Sequence, residues 1–139
     1  MTDDPTSSPL GRTVLVIEDD AAIGHMLITL LKAEGYRPVL VADGALAVDT
    51  ARAERPSIIT LDLSLPNMDG LEILDRLDEH ADVAVPIVVV SAYTKRLTER
   101  HRDQVAAILE KPFEVYALLR SIAAALTPAR RLPARRQPA

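Results

Sequence analysis

The chain has 139 residues, 48% hydrophobic and 26% charged, which excludes a disordered chain and suits one domain with its own core. It has no cysteine, so a disulfide framework and a thiolate metal site are both excluded, as suits a cytoplasmic protein. Arg130, Arg131, Arg135 and Arg136 gather in residues 127–139 without an acid, so the overall charge of −4 leaves −8 on residues 1–126, against a general nucleic-acid surface there.

Residues 1–11 are polar and acidic, wrong for a secretory signal, and read as a loose leader. "TVLVI" (13–17) is a continuous β-branched apolar run, the pattern of a strand buried on both faces. Ile23, Met26, Leu27, Leu30 and Leu31 then recur at i, i+3, i+4, i+7 and i+8, a helical stripe that Gly35 ends. "PVLVA" (38–42) predicts a second strand, and 43–54 a helix opened by a capping Asp43. "SIITL" (57–61) predicts a third strand, and 69–79 a helix with Leu71, Leu74 and Leu77 on one side. "PIVVV" (86–90) is the most strand-like run, residues 95–106 read as a polar helix, and "AAIL" (106–109) as a short strand. Val115, Leu118, Leu119, Ile122 and Leu126 mark the last helix. Residues 127–139 form a Pro/Arg tail whose three prolines exclude a continuous helix. No apolar stretch approaches the ~20 residues of a membrane span.

Five strands alternating with five helices predict an α/β domain, a parallel sheet covered on both faces, with ligands bound beyond the carboxyl ends of the strands. Those ends carry Glu18-Asp19-Asp20, Asp62, Ser91 and Lys111-Pro112. Convergent carboxylates repel unless a cation, a proton or Lys111 offsets them. Hard oxygen donors without His or Cys suit Mg2+, with Mn2+ as the substitute. A nucleophilic carboxylate beside such an ion can take a phosphoryl group as an acyl phosphate. Mg2+, Lys111 and the Ser91 hydroxyl could then each neutralise one phosphoryl oxygen. Asp20 reads as a helix cap rather than a ligand. His25, His80 and His101 are scattered without metal-ligand spacing and read as structural or solvated.

This set, in order on a βα alternation, resembles the receiver (CheY-like) domain of bacterial two-component response regulators over about residues 12–126. The motifs are the acidic pair Glu18-Asp19, Asp62 in "LDLSLPNMDG", Ser91-Ala92 and Lys111-Pro112-Phe113. The resemblance implies a doubly wound five-stranded parallel sheet of flavodoxin-like order 2-1-3-4-5 flanked by five helices. It implies Asp62 as phosphoacceptor, and Glu18, Asp19, Asp62 and the backbone carbonyl of Ser64 as the Mg2+ site. It also implies Ser91 as switch hydroxyl, Lys111 as phosphate-binding lysine, supporting positions at Ala92 and Pro112, and a cis Lys111–Pro112 bond. The implied partners are a sensor histidine kinase or a histidine phosphotransfer protein, and a downstream protein target. Too few residues follow Leu126 for a DNA-binding module, so a stand-alone receiver is expected.

Three features depart from the family pattern. Ile108 stands where an aromatic residue usually acts as a switch, the segment from Ser91 to Lys111 is about two residues short, and the usual Gly-Ala before strand five is missing. Ser64 and Tyr93 fall where the family tunes the lifetime of the acyl phosphate. Ile108 supports an alternative reading, a phosphorylation-independent interaction module. A haloacid-dehalogenase-like phosphohydrolase would need a second aspartate where Ser64 stands, so an enzyme with metabolite turnover is not expected.

Overall fold

The computed structural model describes residues 11–65 and 68–127. Apart from Gly11 and Thr127, the expected leader and tail lie outside the described residues, as do Pro66 and Asn67 of the "LPNMDG" motif.

Five strands, β1 (Thr13–Ile17), β2 (Arg37–Val41), β3 (Ile58–Leu61), β4 (Ile87–Ser91) and β5 (Ala107–Glu110), form one parallel sheet in the order β2-β1-β3-β4-β5. Five α-helices alternate with them: α1 (Ala21–Ala33), α2 (Ala47–Glu54), α3 (Gly70–Asp78), α4 (Glu99–Gln104) and α5 (Val115–Ala125). The expected fold class and strand order therefore hold.

Strand residues divide between two cores with a period of two. Leu15, Ile17, Ile59, Leu61 and Val89 pack with Ala47, Ala51, Ile73, Leu74 and Leu77 of α2 and α3. Val14, Val16, Ile58, Val88 and Val90 face Leu27, Leu31, Leu118 and Ile122 of α1 and α5. Burial on both faces accounts for the unpatterned apolar runs of β1 and β4. Ile108 joins the α2–α3 side as a partly buried residue.

Two helical expectations are corrected. The segment predicted as one helix over 95–106 divides into a 3-10 turn, Thr94–Arg96, and the six-residue α4. Leu97 is extended between them and buried in the core, and Thr98 restarts the helix by accepting a hydrogen bond from the His101 amide at 3.2 Å. Val105 is also extended and packs against the core, so two apolar residues that must point inward interrupt the helical run. The segment predicted as one helix over 43–54 begins as a 3-10 turn, Gly44–Leu46, before α2. Asp43 caps that turn, accepting from the Ala45 amide at 2.9 Å.

Helix α2 ends on Arg55 in the left-handed region, φ 48°. A Cβ is unfavourable there, and glycine is the usual residue. Arg55→Gly is expected to raise stability by about 0.5–1 kcal/mol, read as a higher denaturation midpoint in urea.

Candidate functional site

The sheet order reverses at β1 and β3. From β1 the chain passes to β2 on one side, then crosses back to β3 on the other. The loops leaving β1 and β3 diverge there and open a crevice, where folds of this class bind ligands. Register brings Ile17 beside Leu61, so the next residues of both strands, Glu18 and Asp62, emerge together. The Asp62 amide donates to the Ile17 carbonyl at 3.0 Å, and the Glu18 amide to the Val41 carbonyl at 3.0 Å. Both acids therefore sit on the last rungs of the sheet.

Both acids are also buried, Glu18 to 3% exposure and Asp62 to 4%, while Asp19 is exposed. Two charges at that depth need compensation. Lys111, one residue beyond β5, supplies it to both. Its Nζ donates to Glu18 Oε1 at 3.0 Å and to Asp62 Oδ2 at 3.2 Å. The remaining oxygens take backbone donors: Glu18 Oε2 accepts from the Asp20 amide and Asp62 Oδ1 from the Ser64 amide, each at 3.0 Å. Desolvation, opposed by the Asp20 amide and reinforced by the charge of Asp62, pushes the Glu18 carboxyl up to about 7. Burial alone would lower Lys111, but its hydrogen bond to Glu18 and the charge of Asp62 outweigh this and raise it.

Glu18, Asp19 and Asp62 each offer an oxygen within 4.8 Å of the others. Two oxygens on one Mg2+ lie about 3 Å apart when adjacent and about 4.2 Å apart when opposite, so the three carboxylates would draw inward to hold the ion. An all-carboxylate donor set suits a hard cation and gives no foothold to a soft one. The set carries two more negative charges than Lys111 balances alone. The residues present fit Mg2+.

Ser91 ends β4 and is fully buried. Its Oγ accepts from the Tyr93 amide at 3.1 Å, which leaves its own proton free to donate. The Lys111 amide donates to the Ser91 carbonyl at 3.0 Å, tying the two strand ends together. Lys111–Pro112 is a cis peptide bond, as the resemblance implied. Ala92 and Pro112 are exposed. Asp20 caps α1, accepting from the Ile23 amide at 3.0 Å, and takes no place among the clustered carboxylates.

The structure thus brings Glu18, Asp19, Asp62, Ser64 and Lys111 to one edge, with Ser91 at the end of the next strand. Residues 14–123 match the response regulator receiver domain family. The chain is a receiver domain. Glu18, Asp19 and Asp62 form its acidic cluster, which fits Mg2+-dependent phosphorylation of an aspartate. Such chemistry is self-phosphorylation and dephosphorylation rather than metabolite turnover. The receiver is similar to the transcriptional regulatory protein PdtaR of Mycobacterium tuberculosis, 39% identical over 127 residues, which cover 88% of this chain and 60% of that protein. It is also similar to the DNA-binding response regulator MtrA of the same species, 40% identical over 83 residues, 60% of this chain and 36% of that protein. The receiver thus spans less than two thirds of these relatives' lengths. Among solved structures it resembles the receiver domain of the sensor histidine kinase PA1611 from Pseudomonas aeruginosa PAO1, which has a magnesium ion coordinated in its active-site cleft. There the identity is 28% and the TM-score 0.72, covering 84% of this chain and 98% of that one.

Two groupings near the site have no counterpart in the sequence expectations. Arg96, in the 3-10 turn after β4, pairs with Asp69, the cap of α3. Asp75 of α3 accepts from the His101 Nε2 at 3.0 Å and from Arg100 at 3.3 Å, both of α4. His101 is buried and structural, in line with its expected role.

Proposed function

We propose that this receiver takes a phosphoryl group onto Asp62 from a phosphohistidine on a sensor kinase or a histidine phosphotransfer protein, and that the modified form is recognised by a downstream protein. The observation that carries the reading is the burial of Asp62 at the β1/β3 crevice, sharing Lys111 with Glu18.

An Asp62 oxygen attacks phosphorus, the N–P bond of the phosphohistidine breaks, and the imidazole nitrogen keeps the electron pair. The product is an acyl phosphate on Asp62 and a free histidine. Mg2+ or Mn2+ would be held by Glu18, Asp19, Asp62 and the Ser64 carbonyl, and it would neutralise charge on the phosphoryl oxygens. Lys111 moves its hydrogen bond from Asp62 Oδ2 to a phosphoryl oxygen. Ser91 donates its free hydroxyl proton to another. Closure of Ser91 and Lys111 on the phosphoryl group makes contacts that exist only in the modified state, and such differential contacts are what shift a conformational equilibrium.

In this reading the protein works in the cytoplasm, beside its kinase. No helix among the described residues is long and apolar enough to cross a membrane. The second reading, an interaction module that does not use phosphate, is favoured by Ile108, whose aliphatic side chain has no polar tip to exchange between inward and outward positions. Incubation with phosphoramidate, a small N–P donor, separates the two. Incorporation of one phosphoryl group with Mg2+, and none with a chelator, is expected. Failure with both phosphoramidate and a phosphorylated kinase would leave the phosphate-independent module.

A further inference from the structure

Ile108 removes the usual ring from the path between the phosphoryl site and the surface, yet the segment after Ser91 is tied to the site from both sides. At one end the Ser91 Oγ accepts from the Tyr93 amide at 3.1 Å. Two residues beyond Thr94, Arg96 reaches across the crevice to Asp69. Asp69 also caps α3, accepting from the Leu71 amide at 3.0 Å, and closes the loop that begins at Asp62. One ion pair therefore bridges the loop after β4 and the loop after β3, and these two loops flank the phosphoacceptor.

The far side of the segment is fixed. Leu97 is buried, and α4 is held to α3 by the contacts of Asp75 with His101 and Arg100. Between these points lies the turn from Tyr93 to Arg96, in which Tyr93 is 55% exposed while Thr94 is buried and its carbonyl accepts from Arg102 of α4 at 3.1 Å. When the Ser91 hydroxyl donates to a phosphoryl oxygen, the Tyr93 amide bonded to the same Oγ is drawn with it, and the turn carrying Arg96 is pulled from its resting position.

We infer that the Arg96–Asp69 pair is a latch that holds the turn after β4 in its resting position and opens on phosphorylation, an output route that does not pass through residue 108. The inference rests on Asp62 being the phosphoacceptor. The side chains are 42% and 44% exposed, and a pair so exposed is worth a factor of about two to five in population. That is a bias on a switch, not a lock. Coupling is reciprocal: if phosphorylation opens the latch, opening the latch favours the phosphorylated form.

The test titrates beryllofluoride with Mg2+, a mimic of the phosphoryl group, into the wild type, Arg96→Met, Arg96→Lys and Asp69→Asn by calorimetry. Asn keeps the α3 cap while removing the charge. Arg96→Met and Asp69→Asn are expected to bind the mimic about two- to five-fold more tightly, with Arg96→Lys close to wild type. Amide exchange at Tyr93–Arg96 in unliganded Arg96→Met should rise toward that of the liganded wild type. Unchanged or weaker affinity in both charge-removing variants would overturn the latch, even if their thermal midpoints fell, because a purely structural pair moves stability and not affinity. If the wild type itself fails to bind the mimic, the phosphoacceptor reading falls, and the latch with it.

Discussion

Asp62→Asn is expected to abolish phosphoryl incorporation from small donors and from phosphorylated kinases while leaving the fold intact. The amide oxygen can still accept from the Ser64 amide, which now donates to Asp62 Oδ1 at 3.0 Å. What disappears is the nucleophilic charge and half of the load on Lys111. Without that charge, one of the forces raising the Glu18 carboxyl is gone, and Glu18 keeps Lys111 to itself at 3.0 Å. Replacing one of two close buried acids relieves repulsion, so the thermal midpoint in metal-free buffer should hold or rise. Intact mass with a donor and calorimetric unfolding without one check the two halves. A variant that still gains a phosphoryl group would point to another acceptor. A variant that unfolds would make Asp62 a structural residue.

Gly70→Ala should cost about 3 kcal/mol or more, at the upper end of what overpacking does. A Cβ built on Gly70 would lie 2.3 Å from the Leu63 Cα, 2.7 Å from its carbonyl oxygen and 2.8 Å from its carbonyl carbon. These are backbone atoms of the residue after Asp62 and cannot rotate aside. The Gly70 amide also donates to the Leu63 carbonyl at 3.0 Å, so the pinch closes the loop that carries Ser64 and Asp69. Relief of the clash must open that loop and displace Ser64 from Asp62. Urea denaturation should therefore show the loss of stability together with slower phosphoryl incorporation. A loss under about 1 kcal/mol would show that the loop gives way freely.

Much of the fold was legible because the sheet is buried on both faces. "TVLVI" and "PIVVV" leave no polar alternative, and β1 and β4 lie within a residue of where these runs place them. The acids were legible because a carboxylate straight after such a run costs desolvation energy unless something compensates it, and Lys111 stands at the end of another strand. The helix pattern failed where tertiary burial overrode it. Leu97 and Val105 fill core positions, and that demand broke the expected fourth helix into a turn and six residues. The Arg96–Asp69 and His101–Asp75 contacts join residues 27 and 26 positions apart on different elements, and no local pattern reveals them. Only Thr98 and His101, a capping pair three apart, left a trace in the sequence.

The most direct measurement of the central claim is peptide-level mass spectrometry of the wild-type chain after incubation with acetyl phosphate and Mg2+. The account predicts one phosphoryl group, on the peptide carrying Asp62, dependent on the metal. A phosphoryl group on another residue, or incorporation at Asp62 that persists in excess chelator, would contradict it.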